Sequence, residues 1–118
     1  MNENENENEN TSRHKLPELS EEERMANLAR ALEARAARRT ALDEVRAGTL
    51  DAEASLDDPR LRSCKVFAWL RAFPGIGTAR ADAIMREARI NPSRRVRGLG
   101  ARQRVAVLRA LEERRAGR

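Results

Sequence analysis

Apolar side chains recur at helical spacing over the first long stretch of the chain. One stripe of them comprises Met25, Leu28, Ala29, Leu32, Ala36, Leu42 and Val45. Ser20 and Glu23 form the Ser-x-x-Glu pattern, in which each side chain caps the backbone amide of the other residue at a helix start. Gly48 is the residue type that most often follows the end of a helix. The pattern therefore predicts one amphipathic helix of about 28 residues between Ser20 and Gly48.

The next segment predicts a short helix followed by a central one. Thr49 is a helix-capping residue type, so we expect a short helix from there through Ser55. Pro59 suits the first turn of a helix, and the helix that it opens is expected to run to Ala72. That segment is apolar on almost every side. It indicates a core helix whose aromatic side chains pack inside rather than stack on bases, and whose Cys64 is a small buried hydrophobe.

Two further helices complete the prediction. One runs over residues 78–90 and ends before Asn91-Pro92, because proline disfavours the helical conformation at the residue before it. The other begins near Ala101 and is expected to bury a stripe formed by Val105, Leu108 and Leu111. We therefore predict an all-α fold in which a long N-terminal helix packs on a compact helical domain.

Composition narrows the classes of function. The single cysteine excludes a disulfide framework and a multi-cysteine zinc site, and the single histidine, His14, has no second ligand nearby. No apolar run approaches the ~20 residues that span a bilayer, and the first residues do not resemble a signal peptide. Repeated Asn-Glu predicts a disordered acidic tail over residues 1–15. We expect a cytoplasmic protein without a cofactor, made of this tail, a long helix over residues 16–48 and a domain over residues 49–118.

Charge is distributed unevenly along the chain. Residues 1–59 hold 8 basic and 15 acidic side chains, a net charge of −7, whereas residues 60–118 hold 16 basic and 4 acidic side chains, a net charge of +12. A strongly basic half in a small protein is typical of proteins that bind a polyanion. The arginines of the N-terminal helix have two interpretations, a solvated face with acidic partners or a second surface for nucleic acid.

A short turn, Phe73-Pro74-Gly75-Ile76-Gly77, connects two of the predicted helices. Its two glycines allow positive φ and the close approach of another backbone, while Ile76 is expected to point inward. The N–H groups at the start of the following helix then face outward, where the helix dipole favours an anion. The turn is either an ordinary connection between helices or a phosphate cradle formed by Pro74, Gly75, Ile76, Gly77, Thr78, Ala79 and Arg80.

A basic element, Ser93-Arg94-Arg95-Val96-Arg97-Gly98-Leu99-Gly100, lies about 23 residues farther along the chain. Its three arginines have one acidic residue, Glu87, in the preceding turns, so they repel one another unless an anion lies among them. Two glycine-flanked helix starts in the basic half predict a grip on phosphates at two points, and the alternative is a solvated arginine-rich face. The second point comprises Ser93, Arg94, Arg95, Arg97, Gly98, Gly100 and Arg102.

The two elements together resemble the actinobacterial integration host factor family. The pairing of F-P-G-I-G with S-R-R-V-R-G-L-G after a long capped helix carries the resemblance, which covers about residues 16–115. The short turn alone occurs in helix-hairpin-helix proteins of many kinds, and the arginine string makes the match specific. The resemblance implies the helix-two-turns-helix fold, which also occurs in a small-subunit ribosomal protein and in some DNA glycosylases.

The resemblance also implies a function. Members of the family are nucleoid-associated proteins, so we expect a monomer that binds double-stranded DNA with little sequence preference, bends it or alters its topology, and assists a recombinase. The phosphate-binding turn of the family matches this chain at Pro74, Gly75 and Gly77, and its basic element matches at Arg94, Arg95 and Arg97. Two departures stand out. Residues 50–55 are less apolar than the second helix of the family, and the Asn-Glu tail has no expected counterpart.

Two other classes of function are open alternatives. An RNA-binding structural protein would share the fold with the ribosomal relative, but that relative carries a long basic C-terminal extension, whereas this sequence stops at Arg118. A glycosylase would need a separate catalytic domain, and residues 1–59 offer no nucleophile pocket. The sequence also has no Ser/His/Asp set, metal cluster or Walker loop. We therefore expect a DNA-binding protein that is not an enzyme, with RNA binding as the alternative.

Overall fold

The computed structural model describes residues 20–116, with side chains described through residue 114. The predicted acidic tail over residues 1–15 lies outside the described residues. The chain divides into two compact units, Met1–Leu32 and Glu33–Arg118. Within the described residues the regular structure is helical, which confirms the all-α prediction. None of the helices over residues 20–116 has the length and the apolar character needed to cross a membrane.

The described part of the first unit is the beginning of helix α1 (Glu21–Ala47). The predicted capping box is confirmed, because Glu23 N donates to Ser20 Oγ at 3.0 Å and Ser20 N donates to Glu23 Oε1 at 2.9 Å. Three glutamates in the first turn also complement the positive end of the helix dipole. The large apolar side chains here are more than half exposed, at Met25, Leu28 and Leu32.

In the second unit, α1 ends as predicted. Gly48 adopts a φ of 85°, a left-handed conformation that glycine takes without strain. Gly48 N donates to Val45 O at 3.1 Å and Thr49 N donates to Glu44 O at 2.9 Å, so two carbonyls of the last turn have partners. Ala41 and Val45 are buried in the core of this unit. The C-terminal end of α1 therefore packs on the core of the helical domain.

The rest of the second unit consists of short helices around one core. Helix α4 packs against α3 and α5, and α2 packs against α5. The α-helices are α2 (Ala52–Leu56), α3 (Val66–Arg71), α4 (Thr78–Glu87) and α5 (Ala101–Ala116), and 3-10 turns form at Pro59–Leu61 and Val96–Gly98.

Helix α2 begins later than predicted, because Asp51 and not Thr49 is its N-cap. The Asp51 carboxylate accepts a hydrogen bond from Ala54 N at 2.8 Å. The Thr49 hydroxyl instead donates to Glu44 O at 3.3 Å, at the end of α1. Since closing α1 uses Thr49, the next residue of a capping type begins the following helix.

The prediction of one helix over residues 59–72 is wrong. Asp58 caps a single 3-10 turn at Pro59–Leu61, and α3 begins only at Val66. Between these elements the backbone forms hydrogen bonds with residues 94–97 rather than with its own helix ladder. Three such bonds connect Val66 N with Arg94 O at 3.0 Å, Val96 N with Cys64 O at 2.8 Å, and Arg97 N with Arg62 O at 3.0 Å.

These bonds form an isolated antiparallel β-bridge between Lys65 and Arg95. Val96 and Cys64 are both buried beside it, and burial raises the pKa of the Cys64 thiol. The prediction that Cys64 is a small buried hydrophobe is therefore confirmed. The bridge attaches the basic element directly to the core ahead of α3, so this element is a fixed part of the fold.

Trp69 lies at the centre of the core with its side chain fully buried, as predicted. Its indole N–H donates to Ser55 Oγ at 2.7 Å, and the Ser55 hydroxyl donates to Ala52 O at 2.7 Å. The Phe73 ring meets the indole edge-on, with 5.1 Å between ring centroids. The buried serine therefore satisfies the one polar atom of the tryptophan and joins α2 to α3.

An ion-pair network joins the end of α1 to the 3-10 turn at Pro59–Leu61. The Arg60 guanidinium lies 2.8 Å from a Glu44 oxygen and 2.7 Å from an Asp58 oxygen. Hydrogen bonds from Arg60 lower the pKa of both carboxyl groups. Arg60 is therefore committed to contacts within the fold.

Helix α4 ends at Glu87, before the predicted end at Ile90. Arg89 adopts a φ of 57°, and Ile90 N donates back to Met85 O at 2.9 Å. The Gln103 side chain donates to Arg89 O at 2.9 Å from α5. A non-glycine residue in the left-handed conformation thus closes α4, and the sequence gives no glycine signal for it.

The buried face of α5 differs from the predicted one. Val107 is 0% exposed and Leu111 is 5% exposed, with Leu108 half-buried, whereas Val105 is 55% exposed. The prediction was wrong for Val105 because residues 107 and 111 are one turn apart and share a face, which residue 105 does not.

We predict opposite outcomes for two valine substitutions in α5. Val107→Ala removes buried methyl groups and should lower the free energy of unfolding by about 2 kcal/mol. Val105→Ala, the matched control, should change it by less than about 0.5 kcal/mol. Urea unfolding followed by circular dichroism measures both. A larger loss for Val105→Ala than for Val107→Ala would contradict this helix orientation.

Candidate nucleic-acid interface

The turn between α3 and α4 is held by one inward side chain and one unusual backbone conformation. Ile76 is 4% exposed, as predicted, and Ile76 N donates to Phe73 O at 3.1 Å. Gly75 adopts a φ of 84°, which an L-residue rarely takes. The buried isoleucine anchors the turn, and the glycine lets the chain reverse direction.

Gly77 does not need the positive φ that its residue type allows. It has a φ of −92° and a ψ of −170°, and it is the N-cap of α4. No side chain caps this helix start, and Ala81 N to Gly77 O, at 2.9 Å, is the first bond of the helix ladder. Within the described residues, the N–H groups of Gly77, Thr78 and Ala79 therefore have no partner, and these three residues are exposed. Uncapped amides at a helix N-terminus suit an anion.

The other side of the turn has a different electrostatic character. Pro74 and Gly75 border a cleft of about 880 Å³ whose lining includes Asp51, Glu53, Glu112 and Arg114. Because three of these four charged residues are acidic, an anion is less favoured there than at the amides of Gly77–Ala79. Pro74 and Gly75 thus shape the turn.

Arg80 is exposed in the first turn of α4. It borders a second cleft, of about 560 Å³, together with Glu87, Glu113 and Arg114. The acidic and basic side chains of this lining are equal in number, so Arg80 can add positive charge beside the start of α4.

The basic element begins with a compact turn. The Asn91 side-chain oxygen accepts from Ser93 N at 2.8 Å and from Ser93 Oγ at 2.7 Å. The Arg94 guanidinium folds back and donates to Gly98 O at 2.6 Å. A Cβ at Gly98 would lie 2.9 Å from Arg94 Cδ, so the glycine makes room for this arginine.

The other two arginines converge on one residue of the segment ahead of α3. Arg95 Nη1 donates to Ser63 O at 2.5 Å, and Arg97 Nη1 donates to Ser63 Oγ at 3.2 Å. Both arginines are exposed. The fold therefore holds the two guanidinium groups beside each other at the protein surface.

The three arginines lack acidic partners. No carboxylate within residues 20–114 lies within 4.0 Å of the guanidinium groups of Arg94, Arg95 or Arg97, whereas Arg24, Arg46 and Arg104 each pair with one and Arg60 pairs with two. One open cleft of about 440 Å³ brings together five of the seven residues predicted for this element, Ser93, Arg94, Arg95, Arg97 and Gly98, with Asn91 beside them. Gly100 and Arg102 do not line it. Uncompensated, preorganised guanidinium groups are suited to phosphate.

The backbone amide at the start of α5 already has a hydrogen-bond partner within the protein, which was not predicted. Gly100 N donates to the Gln103 side chain at 3.0 Å, in the manner of a capping box. Arg102 is exposed in the first turn of α5. The Gly100 amide is thus committed to the fold, while Arg102 presents charge outward.

Sequence reasoning missed two residues of this region. Gln103 could have been found from its spacing, because a glutamine three residues after an N-cap is a capping pattern. Ser63 had no signal, since its role depends on a contact with arginines more than thirty residues away. Within the described residues there is also no group of three or more His, Cys, Asp or Glu side chains that could hold a metal ion.

We predict different effects for alanine at the two glycines of the turn. Gly75→Ala would force a left-handed alanine and place its Cβ 2.6 Å from Arg114 Nη1. It should therefore cost about 1 to 2 kcal/mol of folding free energy. Gly77→Ala meets no atom within 4 Å and keeps a permitted φ. It should change stability by less than about 1 kcal/mol. Thermal melting of both variants tests this, and equal losses would contradict the described turn.

The chain is similar to known proteins over most of its length. Residues 40–111 match the family of S13-like H2TH domains. The integration host factor of Mycolicibacterium smegmatis is 40% identical over 102 residues, which is 83% of this chain and 97% of the relative. The integration host factor of Mycobacterium tuberculosis is 42% identical over 97 residues, which is 79% of this chain and 92% of the relative.

A solved structure of sIHF bound to an 8 bp palindromic DNA is also similar. It aligns with a TM-score of 0.61 and 30% identity, covering 69% of this chain and 96% of that one. A third relative, the integration host factor of Streptomyces coelicolor, is 40% identical over 96 residues, which is 75% of this chain and 86% of the relative. The family resemblance inferred from the two motifs is confirmed: the chain belongs to the integration host factor family and contains an S13-like H2TH domain.

Proposed function

We propose that this protein is a nucleoid-associated, non-enzymatic protein that binds double-stranded DNA through its phosphates with little sequence specificity. The observation that carries the proposal is the group of three arginines, Arg94, Arg95 and Arg97, held by backbone and serine oxygens without a carboxylate partner among the described residues. Contacts to phosphate fix a protein on the duplex but carry no sequence information. Low specificity follows from this mode of contact.

The proposed interface has two parts. The first is the uncapped start of α4, where the amides of Gly77, Thr78 and Ala79 donate hydrogen bonds to a phosphate and Arg80 adds positive charge. The second is the basic element, where the arginines donate to phosphates while Ser93, Gly98, Gly100 and Arg102 shape its borders. Pro74, Gly75 and Ile76 hold the first part in position.

Two contacts to a duplex backbone can bend DNA or change its topology, because each fixes the path of a strand relative to the protein. We propose that the chain acts as a monomer in the cytoplasm, on the nucleoid, and supports a recombinase by shaping its DNA. Sedimentation at several concentrations tests the monomer, and circularisation of a short duplex tests the bending.

The proposal is tested by measuring affinity for matched duplex DNA, single-stranded DNA and duplex RNA over a series of salt concentrations. With ~4–6 phosphates neutralised on duplex DNA, log K against log[salt] should have a slope of about −4 to −5. A nearly flat slope, or strong preference for one sequence at high salt, would contradict the proposal. Tighter binding to duplex RNA would favour the RNA-binding alternative.

Replacing Arg94, Arg95 and Arg97 together by alanine should weaken binding to all duplex sequences alike. Each lost arginine removes a permanently charged phosphate donor. The salt slope should become shallower by about 2–3, at ~0.9 per lost contact. Folding should survive, because Val96 and the backbone bridge stay in place.

Two controls separate charge from structure in this variant. Lysine at the same three positions should keep the slope, because the charges are kept. Alanine at three exposed arginines of α1, Arg30, Arg35 and Arg39, should also leave the slope unchanged if α1 is a solvated face. A melting temperature measured for each variant checks folding. An unchanged slope in a folded triple alanine variant would refute the assignment of the basic element.

Gly77→Asp should disable the first part of the interface without unfolding the protein. A side chain at position 77 meets no atom within 4 Å, and aspartate is a good N-cap residue. Its carboxylate would occupy the amides and repel a phosphate there. We expect weaker duplex binding with unchanged or higher melting temperature. Asparagine at the same position keeps the cap without the charge and should lose less affinity. Unchanged DNA binding by a folded aspartate variant would show that the turn is only a connection.

A further inference from the structure

Ser63 is exposed and lies between the 3-10 turn at Pro59–Leu61 and α3. Its two oxygens accept hydrogen bonds from Arg95 and Arg97 of the basic element. Its hydroxyl oxygen accepts from Arg97 at 3.2 Å and its carbonyl oxygen accepts from Arg95 at 2.5 Å. The hydroxyl thus contacts one guanidinium group, and a second one is bonded to the backbone oxygen of the same residue; neither has a carboxylate partner within the described residues. The sequence motifs do not include this residue, and the proposed function uses it only as a partner that holds the two arginines.

The surroundings of Ser63 are strongly cationic. Arg62 and Lys65 are exposed on either side of it in the sequence. Arg38 of α1 and Arg95 are close enough to Cys64, the next residue, to oppose the rise that burial causes in the pKa of its thiol. Arg60 is engaged by Glu44 and Asp58 and is not part of this group. A neutral hydroxyl therefore lies near several positive side chains, none of which has a carboxylate oxygen within 4.0 Å among residues 20–114.

A phosphate monoester on this hydroxyl would fit the charges around it. It would carry a charge of about −1.5 to −2 at neutral pH and present three strong acceptor oxygens. Hydrogen bonds between guanidinium groups and phosphate oxygens are among the stronger ones in proteins. Arg97 already reaches the oxygen that would carry the phosphate, and Arg95 lies beside it.

We propose that Ser63 is a phosphorylation site, and that its phosphate group holds Arg95 and Arg97 in place of a DNA phosphate. The modification would release the protein from DNA. The release rests on the proposed function, whereas the contact between phosphate and arginines does not.

The chemistry requires a protein kinase and a nucleoside triphosphate. The Ser63 hydroxyl oxygen attacks the γ-phosphorus, and a bond forms between them while the bond from that phosphorus to the β–γ bridging oxygen breaks. The nucleoside diphosphate leaves, and the hydroxyl proton passes to the catalytic base of the kinase. Arg62 and Lys65 make the site basic, so the matching kinase is one whose substrate groove is acidic.

The contact is tested without DNA in the full chain carrying genetically encoded phosphoserine at position 63. The control carries phosphoserine at position 49, in place of an exposed threonine whose hydroxyl donates to Glu44 O at the end of α1. Phosphorus NMR should give a lower second pKa for the phosphate at position 63 than at position 49, where the negative end of the helix dipole should keep it at or above the ordinary value of about 6. Arg95→Ala with Arg97→Ala should remove the difference. Equal pKa values at the two positions would overturn the proposed contact.

The release is tested by titrating duplex DNA with the unmodified chain and with both phosphorylated chains. Phosphate at position 63 should weaken binding at least about tenfold in 0.1 M salt and make the salt slope shallower by about 2, because two arginine contacts are lost. Phosphate at position 49 should leave the slope unchanged. Equal binding by the unmodified chain and the chain phosphorylated at position 63 would overturn the release. Failure of the unmodified chain to bind DNA would instead refute the proposed function and leave the NMR result as the test of the contact.

Phosphorylation of Ser63 in cells is tested by peptide mass spectrometry. The protein is isolated from the cells that produce it, in growth and in stationary phase. Phosphate should be found on Ser63, and the cells carrying Ser63→Ala should lack that phosphopeptide and keep more of the protein on DNA. Ser63 without phosphate in both phases would overturn the proposal.

Discussion

The backbone hydrogen bonds between residues 62–66 and residues 94–97 are the constraint on which the rest of the structure depends. Because of them the 3-10 turn ends at Leu61 and α3 begins only at Val66. The same bonds fix the basic element to the core. Without them a run of arginines would be a loop of many conformations, and ordering it on a partner would cost entropy. With buried Val96 beneath the bridge, that cost is met during folding, so the guanidinium groups are in place before a ligand arrives.

The basic element keeps its positive charge because the acidic residues lie elsewhere in the protein. Glu44 and Asp58 bind Arg60, and Asp57 lies 3.2 Å from Arg104, so these carboxylates pair with arginines outside the basic element. Other acidic residues line the clefts beside Pro74 and Gly75. The arginines of the basic element instead take neutral oxygen partners, which orient a guanidinium group without cancelling its charge. The surface therefore keeps a concentrated positive charge at one place on a protein whose net charge is only +5.

Local signals in the sequence predicted much of this structure, and contacts between distant segments account for the rest. The capping box at Ser20, the glycine after α1 and the inward Ile76 depend on neighbours within a few residues, and each was confirmed. The break in the helix predicted over residues 59–72 and the role of Ser63 depend on partners about thirty residues away. A single β-bridge has no periodicity in the sequence that would predict it. The exposed Val105 shows a third limit, because apolar residues spread around a helix do not determine which face is buried.

The central claim is that the uncapped start of α4 and the three arginines of the basic element together form the DNA-binding face. The most direct measurement is an NMR titration of the labelled protein with a short duplex, following backbone amides and arginine Nε–H groups. The account predicts that the largest shifts occur at the amides of Gly77, Thr78 and Ala79 and at the side chains of Arg95 and Arg97. Shifts confined to the exposed arginines of α1, with these groups unchanged, would contradict it.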